Sequence, residues 1–278
     1  MGTLTGRRVV VTRRSRQSSR LVELLVDRGA AVLEVPAIEI VAPPDSAPLD
    51  EALAALARYD WVVLTSANAV GAVLGRMAVL GLEPRLAVGR PGPSARTTRG
   101  SSARARPWVA SVGPATTAAL RSSFPDDRVA LEPGPDFRAA ALIDAFAREG
   151  VAGTRILVPA SSRARDELPR GLQGLGAHVD VVAAYATVEP PGLAEAVLGT
   201  LDVGFDLALF ASPSAVEAFA GAAGERARGL PVAVIGPTTE AAARAVAMDV
   251  RAVASPSTAE GLVAAAEHAL GKLRAPLS

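Results

Sequence analysis

Apolar and polar residues alternate along this chain in blocks that read as strand, helix, strand, helix almost from end to end. Arg8–Thr12 is a short apolar run with the look of a buried strand. Ser18–Arg28 places Leu21, Leu24 and Leu25 on one helical face, and Gly29 ends it. Ala31–Ile40 is extended, Leu49–Ala57 helical, Trp61–Thr65 a strand, and Asn68–Leu80 a helix stopped at Gly81. Leu86–Val88 and Trp108–Val112 read as short strands, Thr116–Ser122 and Phe137–Arg148 as helices, and Arg155–Val158 as a strand. Asp166–Leu175 is a helix stopped by Gly176, and Val179–Val188 is extended. Helix Leu193–Leu201, strand Leu207–Phe210, helix Ser214–Ala222, strand Val232–Ile235 and helices Thr239–Met248 and Ala259–Lys272 complete the series.

Strand–helix units repeated at this spacing predict parallel sheets covered by helices on both faces, an α/β, flavodoxin-like plan. Two proline-rich stretches, Pro43-Pro44 with Pro48 and Pro190-Pro191-Gly192, cut the chain into three pieces. Residues 1–38 hold one strand–helix unit without the rest of a domain, residues 45–184 a full set, and residues 192–278 a set lacking its first unit. The expectation is therefore two similar lobes. One is discontinuous, built from 1–38 plus 192–278, and the other (45–184) is inserted through two connector strands at 39–44 and 185–191. Residues 90–107 (RPGPSARTTRGSSARARP) carry five arginines and no acidic residue, and read as a flexible basic insertion in the second lobe.

Two short stretches nearly repeat. Val62-Val63-Leu64-Thr65-Ser66-Ala67-Asn68-Ala69-Val70 is echoed by Leu207-Ala208-Leu209-Phe210-Ala211-Ser212-Pro213-Ser214-Ala215-Val216. Each is followed by a second pair, Ser111-Val112-Gly113-Pro114-Ala115-Thr116-Thr117 and Val234-Ile235-Gly236-Pro237-Thr238-Thr239-Glu240. Every one of these is an apolar strand running into small hydroxyl residues or a Gly-Pro turn and then a helix. Such a junction puts hydroxyls and free backbone N–H groups at the strand's C-terminal end, where anions bind. Two ordered sets predict two lobes facing one cleft that takes an anionic small molecule.

Composition narrows the chemistry. The chain has 278 residues, half of them hydrophobic. No uninterrupted apolar run reaches the roughly 18–20 residues that cross a bilayer. The first residues lead straight into a strand without the apolar stretch of a signal peptide, so the expectation is a cytoplasmic chain with no membrane role. A net charge of +1 gives no bulk attraction to nucleic acid. No cysteine is present, which excludes disulfides, thiolate catalysis and Cys-ligated zinc. His178 and His268 lie in different predicted elements with no ligand cluster beside them, so no metal site is expected. Walker A, GxGxxG and GxSxG motifs are missing, which removes nucleotide-dependent and serine-hydrolase chemistry.

What remains is hydroxyls, carboxylates, arginines and two tyrosines, Tyr59 and Tyr185. Arg13 directly follows the first strand, and Arg163 and Arg165 follow Arg155–Val158 in the same way. A guanidinium at a strand's C-terminal end is well placed to engage a carboxylate through both oxygens. Tyr185 lies in the extended segment leading to the second linker, facing the gap between the lobes. There its phenol either packs at a domain junction or donates a proton to a leaving oxygen.

Taken together, these blocks resemble the uroporphyrinogen-III synthase family. The residues that carry the likeness are Val11-Thr12-Arg13, Leu64-Thr65-Ser66-Ala67-Asn68-Ala69-Val70 and Val112-Gly113-Pro114-Ala115-Thr116. Further along come Leu168…Leu172…Leu175-Gly176-Ala177…Val179 running to Ala184-Tyr185-Ala186-Thr187-Val188, then Phe210-Ala211-Ser212-Pro213-Ser214 and Ile235-Gly236-Pro237-Thr238-Thr239. The blocks keep their order from about residue 6 to 270.

The resemblance implies a cofactor-free lyase that closes linear hydroxymethylbilane into uroporphyrinogen III, inverting ring D and releasing water. It implies two α/β lobes joined by a two-stranded connector, and a monomer that takes its substrate from the bilane-forming enzyme by transient contact. Tyr185 matches the family tyrosine that assists departure of the hydroxyl. Thr65, Ser66, Thr116, Ser212, Thr238 and Thr239 match positions lining the cleft. Ser214, Arg13 and Arg165 join them as candidate contacts for a substrate with eight carboxylates. The chain departs from the family pattern at Ala160, where an arginine is common after Leu157-Val158-Pro159, and Arg165 keeps the second arginine of that motif. A second reading is a two-lobed binding or sensor protein for a small anion, without catalysis.

Overall fold

The computed structural model describes residues 2–13, 15–86, 107–124, 129–134 and 138–271, with the side chains of 15–19 left aside. The chain divides into two compact units, Met1–Glu39 with Val188–Ser278, and Ile40–Thr187.

In chain order the first unit opens with β1 (Arg8–Val11), α1 (Ser15–Asp27) and β2 (Ala31–Glu34). The second unit follows with β3 (Glu39–Val41), α2 (Ala47–Ala54), β4 (Trp61–Leu64), α3 (Ala67–Val79), β5 (Trp108–Ser111), α4 (Pro114–Ser123) and β6 (Val129–Leu131). It is completed by α5 (Ala139–Glu149), β7 (Arg155–Ser161), α6 (Glu167–Gly174) and β8 (His178–Val188). The chain then returns to the first unit through α7 (Leu193–Val203), β9 (Leu207–Phe210), α8 (Pro213–Ala223), β10 (Pro231–Val234), α9 (Pro237–Ala245), β11 (Asp249–Val253) and α10 (Ala259–Gly271).

The first unit's sheet runs β11-β10-β9-β1-β2 and the second's runs β3-β8-β7-β4-β5-β6. The registered pairs β1–β2, β1–β9, β9–β10, β10–β11, β4–β5, β4–β7, β5–β6 and β7–β8 are all parallel. Each sheet is buried on both faces, because successive strand side chains alternate. In β4, Val62 and Leu64 pack with Val70, Val73 and Leu120, while Trp61 and Val63 pack with Leu142, Phe146 and Leu172. In β1, Val9 and Val11 join Leu25 and Leu262, while Val10 joins Phe210 and Phe219 on the other face.

The two units repeat one another in detail. Asp206, just before β9, accepts the Arg8 N–H at 2.7 Å and donates its own N–H to the Arg8 carbonyl at 2.8 Å. Asp60, just before β4, accepts the Arg155 N–H at 2.8 Å and donates its N–H to the Arg155 carbonyl at 2.8 Å. Helices α1 and α6 close alike: Gly29 and Gly176 take the left-handed conformation at φ +84° and +83°, and the next N–H reaches five residues back, from Ala30 to Leu25 and from Ala177 to Leu172. The approach to β1 also matches the approach to β7. Arg7 N–H bonds the Leu4 carbonyl at 3.0 Å, and Thr154 N–H bonds the Val151 carbonyl at 3.1 Å.

Several expectations need correction. Pro48 opens α2 instead of marking a linker, since a proline in the first helical turn has no donor to lose. Glu39–Val41 and Tyr185–Val188, expected as connector strands, are strands, but they belong to the second unit's six-stranded sheet. The edge strands β6 and β11 went unread because β6 has only three residues and the charged Asp249 and Arg251 break the apolar pattern of β11. β7 runs past Val158 through Pro159 to Ser161; its registered pairing with β4 ends at Leu157, so the proline stands where one flank is already free. The predicted strand at 86–88 is described only at Leu86, which is fully buried, and all of the basic insertion except Pro107 lies outside the described residues.

Candidate active site

Four strand-to-helix junctions carry the duplicated motifs, and they match in pairs across the two units. Ser66 caps α3 at φ −157° and ψ 154°, its Oγ accepting the Ala69 N–H at 3.1 Å. Ser212 caps α8 at φ −161° and ψ 154°, its Oγ accepting the Ala215 N–H at 3.2 Å. Gly113 and Gly236 cap α4 and α9 in extended conformations, with proline in the first helical turn. The neighbouring loops are tied in the same way in both units: Val112 N–H to the Leu64 carbonyl at 3.3 Å, Ile235 N–H to the Phe210 carbonyl at 3.0 Å. Each unit therefore presents two helix N-termini side by side at the carboxyl ends of its central strands, the usual ligand position in open α/β sheets.

The second unit adds a phenol. Tyr185, on β8, is 9% exposed and packs among Val62, Leu64, Ala69 and Val70. Its Oη lies 3.2 Å from Ser66 Oγ. The phenol is thus brought to the start of α3. Tyr59, the other tyrosine, lies just before β4 and is also buried; burial first, and a hydrogen bond with Asp180 second, raise its pKa above the ordinary phenol value.

The remaining predicted residues fall into distinct environments. Thr65, Ser66 and Ser212 are half-buried, and Ser214 and Thr238 are exposed. Thr116 and Thr239, at matching positions of α4 and α9, are only 4% and 1% exposed. Arg13 is half-buried at the end of β1, and that burial pulls its guanidinium below the ordinary arginine value. Arg163 and Arg165 are exposed in the turn that leads into α6.

Two features escaped the sequence reading. Thr12 is buried, and its Oγ1 donates to the Leu209 carbonyl at 2.8 Å, tying the end of β1 to β9. Ser111 Oγ and Thr117 Oγ1 lie 2.5 Å apart inside the second unit, and both bond the Glu132 carboxylate that follows β6. The first unit has Val234 and Glu240 at the corresponding places, and Glu240 pairs instead with Arg244 at 2.7 Å. A serine ending an apolar strand six residues before a threonine was the available signal, but it does not point to a carboxylate fifteen residues further on.

Among the described residues there is no group of three or more His, Cys, Asp or Glu that could hold a metal ion, and no helix long and apolar enough to cross a membrane. A surface hollow lined by Arg155, Gln173, His178 and Asp180 lies at the opposite, N-terminal ends of β7 and β8 and includes none of the junction residues.

The family described as uroporphyrinogen-III synthase HemD matches residues 19–264. The uroporphyrinogen-III synthase of Synechococcus elongatus is 31% identical, over 95% of this chain and 96% of its own length. Among solved structures, a mutant uroporphyrinogen III synthase of Thermus thermophilus aligns with a TM-score of 0.64 at 18% identity, over 96% of this chain and 100% of that one. The Helicobacter pylori uroporphyrinogen-III synthetase aligns at 0.54 with 13% identity, over 96% and 100%. These two likenesses bear on the fold.

Proposed function

The chain belongs to the uroporphyrinogen-III synthase family, and from that premise we infer that it closes linear hydroxymethylbilane into uroporphyrinogen III with ring D inverted and water released. The observation that carries the assignment of chemistry to residues is the meeting of the Tyr185 phenol with the Ser66 cap at the carboxyl end of β4. Tyr185 Oη gives its proton to the departing hydroxyl, and the C–O bond breaks with its electron pair leaving on water. The cation left behind is carried by the adjoining pyrrole as an azafulvene. The substituted carbon of ring D attacks it to form a spiro intermediate, which fragments and recloses with the ring turned over. The proton lost on rearomatisation restores the phenol, so the step is balanced without an added reactant.

Little covalent chemistry falls to the protein. The flexible bilane closes unaided to the uninverted isomer, so the enzyme must hold it where spiro attack is faster, a matter of orientation. Each unit offers groups suited to that holding: in the second, the N-termini of α3 and α4 with Thr65, Thr116 and Arg165, and in the first, the N-termini of α8 and α9 with Arg13, Ser212, Ser214, Thr238 and Thr239. The same reading makes the chain a cytoplasmic monomer that receives its unstable substrate from the enzyme that forms it. A binding protein without catalysis is disfavoured by the family assignment.

Incubation with hydroxymethylbilane, oxidation and separation of the porphyrin isomers tests the reading; isomer III is expected, and isomer I alone would sink it. Tyr185→Phe should slow turnover by about 10²-fold or more, the usual worth of a positioned proton donor. An unchanged rate would remove Tyr185 from the mechanism.

A further inference from the structure

We propose that Ser66 is the positioning residue of Tyr185, a hydroxyl that stays bonded to the phenol oxygen before and after the proton leaves it; the proposal rests on the assignment of Tyr185 as proton donor. The two serine caps make the comparison. Ser66 and Ser212 occupy equivalent junctions with nearly identical backbone angles and the same bond to the third N–H of their helices. Only Ser66 meets a phenol. Both of the chain's tyrosines, Tyr59 and Tyr185, fall within Ile40–Thr187, so the first unit has no counterpart.

A serine oxygen has two lone pairs and one proton. In Ser66 one lone pair is taken by the Ala69 N–H, at 3.1 Å. The second lone pair and the proton remain, and either can serve the Tyr185 oxygen at 3.2 Å without disturbing the cap. With the phenol protonated, Ser66 accepts and the Tyr185 O–H is held in place. Once Tyr185 has given its proton to the substrate's departing hydroxyl, the Ser66 O–H rotates and donates to the phenolate oxygen. The amide bond to Ala69 polarises that O–H, and the positive end of α3 lies behind it. A bond to the ionised oxygen is stronger than one to the neutral phenol, so Ser66 favours the state formed in the bond-breaking step.

The packing supports a fixed phenol. Tyr185 is 9% exposed and shares an apolar cluster with Val62, Leu64, Ala69 and Val70, on the strand face that α3 covers, which leaves the ring little freedom. Ser66 thereby departs from the plain substrate contact that its place in the junction suggests. A hydroxyl that touched only substrate would act on KM, whereas one that acts through Tyr185 shows in kcat.

The test compares Ser66→Ala, Ser66→Gly, Ser66→Thr, Tyr185→Phe and the double variant Ser66→Ala/Tyr185→Phe in the full chain, by kcat and KM with hydroxymethylbilane. Glycine is tolerated at an N-cap, so it removes the hydroxyl even if the alanine variant folds poorly. Loss of the positioning bond should lower kcat about three- to tenfold with KM held, the scale of one hydrogen bond. Threonine should restore most of it. In the Tyr185→Phe background, Ser66→Ala should change kcat no further, because residues acting as a unit are not additive. A Tyr185→Phe variant of unchanged rate overturns the donor assignment and this proposal with it. A slowed Tyr185→Phe, with Ser66 variants that act on KM alone or lower kcat equally in both backgrounds, overturns the role of Ser66 and leaves Tyr185 standing.

Discussion

Phe146 offers a sharp test of whether the two units are separate folding units. Its ring is fully buried on the α5 side of the second unit's sheet, edge-on to Trp61 at 5.0 Å, and Trp61 in turn meets Trp108 edge-on at 4.9 Å. Truncation in Phe146→Ala leaves a void that no neighbouring aromatic can fill, and costs about 3–5 kcal/mol. With urea m-values of about 1–3 kcal/mol/M, the midpoint of that unit should fall by roughly 1–5 M. The assay is built into the chain, because its two tryptophans are Trp61 and Trp108, both in the second unit. Tryptophan fluorescence therefore reports that unit, and circular dichroism reports both. Phe219→Ala is the matched perturbation in the first unit, a fully buried ring 5.5 Å from Phe210. Each unit has apolar cores on both faces of its own sheet, so Phe219→Ala should shift the circular dichroism transition and leave the fluorescence midpoint in place. Equal displacement of the fluorescence midpoint by both variants would refute independent unfolding.

Further predictions concern single positions. Tyr59 is held protonated by burial and by Asp180, so its contribution to stability is complete below the ordinary phenol value and lost as the pH rises through its own, higher value. Alkaline unfolding followed by tryptophan fluorescence should therefore be shallower in Tyr59→Phe than in the parent, and identical slopes would contradict the assignment. Gly261→Ala in α10 would bring a Cβ within 1.9 Å of the Pro256 carbonyl oxygen and should destabilise by about 1–3 kcal/mol, seen as a lower melting temperature. The same substitution at Gly199 in α7 meets nothing within 4 Å and should stabilise by about 0.5–1 kcal/mol, so two shifts of one sign would refute the steric account.

The parts of this fold that local patterning controls were legible in the sequence. Val9–Val11 and Val62–Leu64 are strands with no polar residue to expose, and Gly29, Gly81 and Gly176 end helices at positive φ, as their places after amphipathic runs suggested. The serine caps were legible for the same reason, since a hydroxyl three residues before a helical N–H is a local arrangement. Contacts that only the assembled sheet creates were not. Nothing near Ser66 in the chain announces Tyr185, which arrives from 119 residues away because β8 and β4 flank β7. Buried Ser111 and Thr117 meet the exposed Glu132 through the adjacency of β5 and β6, a pairing hidden by the shortness of β6. The burial of Thr116 and Thr239 likewise depends on which side of each helix meets its sheet, which a single Gly-Pro-X-Thr turn does not encode.

The matched approaches to β1 and β7 have a consequence for connectivity. Drawn as a ring, the strands of the second unit, its extra edge strand β3 apart, read β4, β5, β6, β7, β8, and those of the first read β9, β10, β11, β1, β2, in the same spatial order. The units are one circular plan opened at different points. The link that joins α5 to β7 in the second unit is, in the first, the seam where α10 meets the chain ahead of β1, with Thr3 and Arg28 both bonded to Glu267. A polypeptide that runs from Val188 to Gly271 and then, through a short flexible splice, from Gly2 to Glu39 should fold by itself into the five-stranded sheet and melt cooperatively. A featureless far-ultraviolet spectrum from that permuted chain would show that the ring cannot be opened elsewhere.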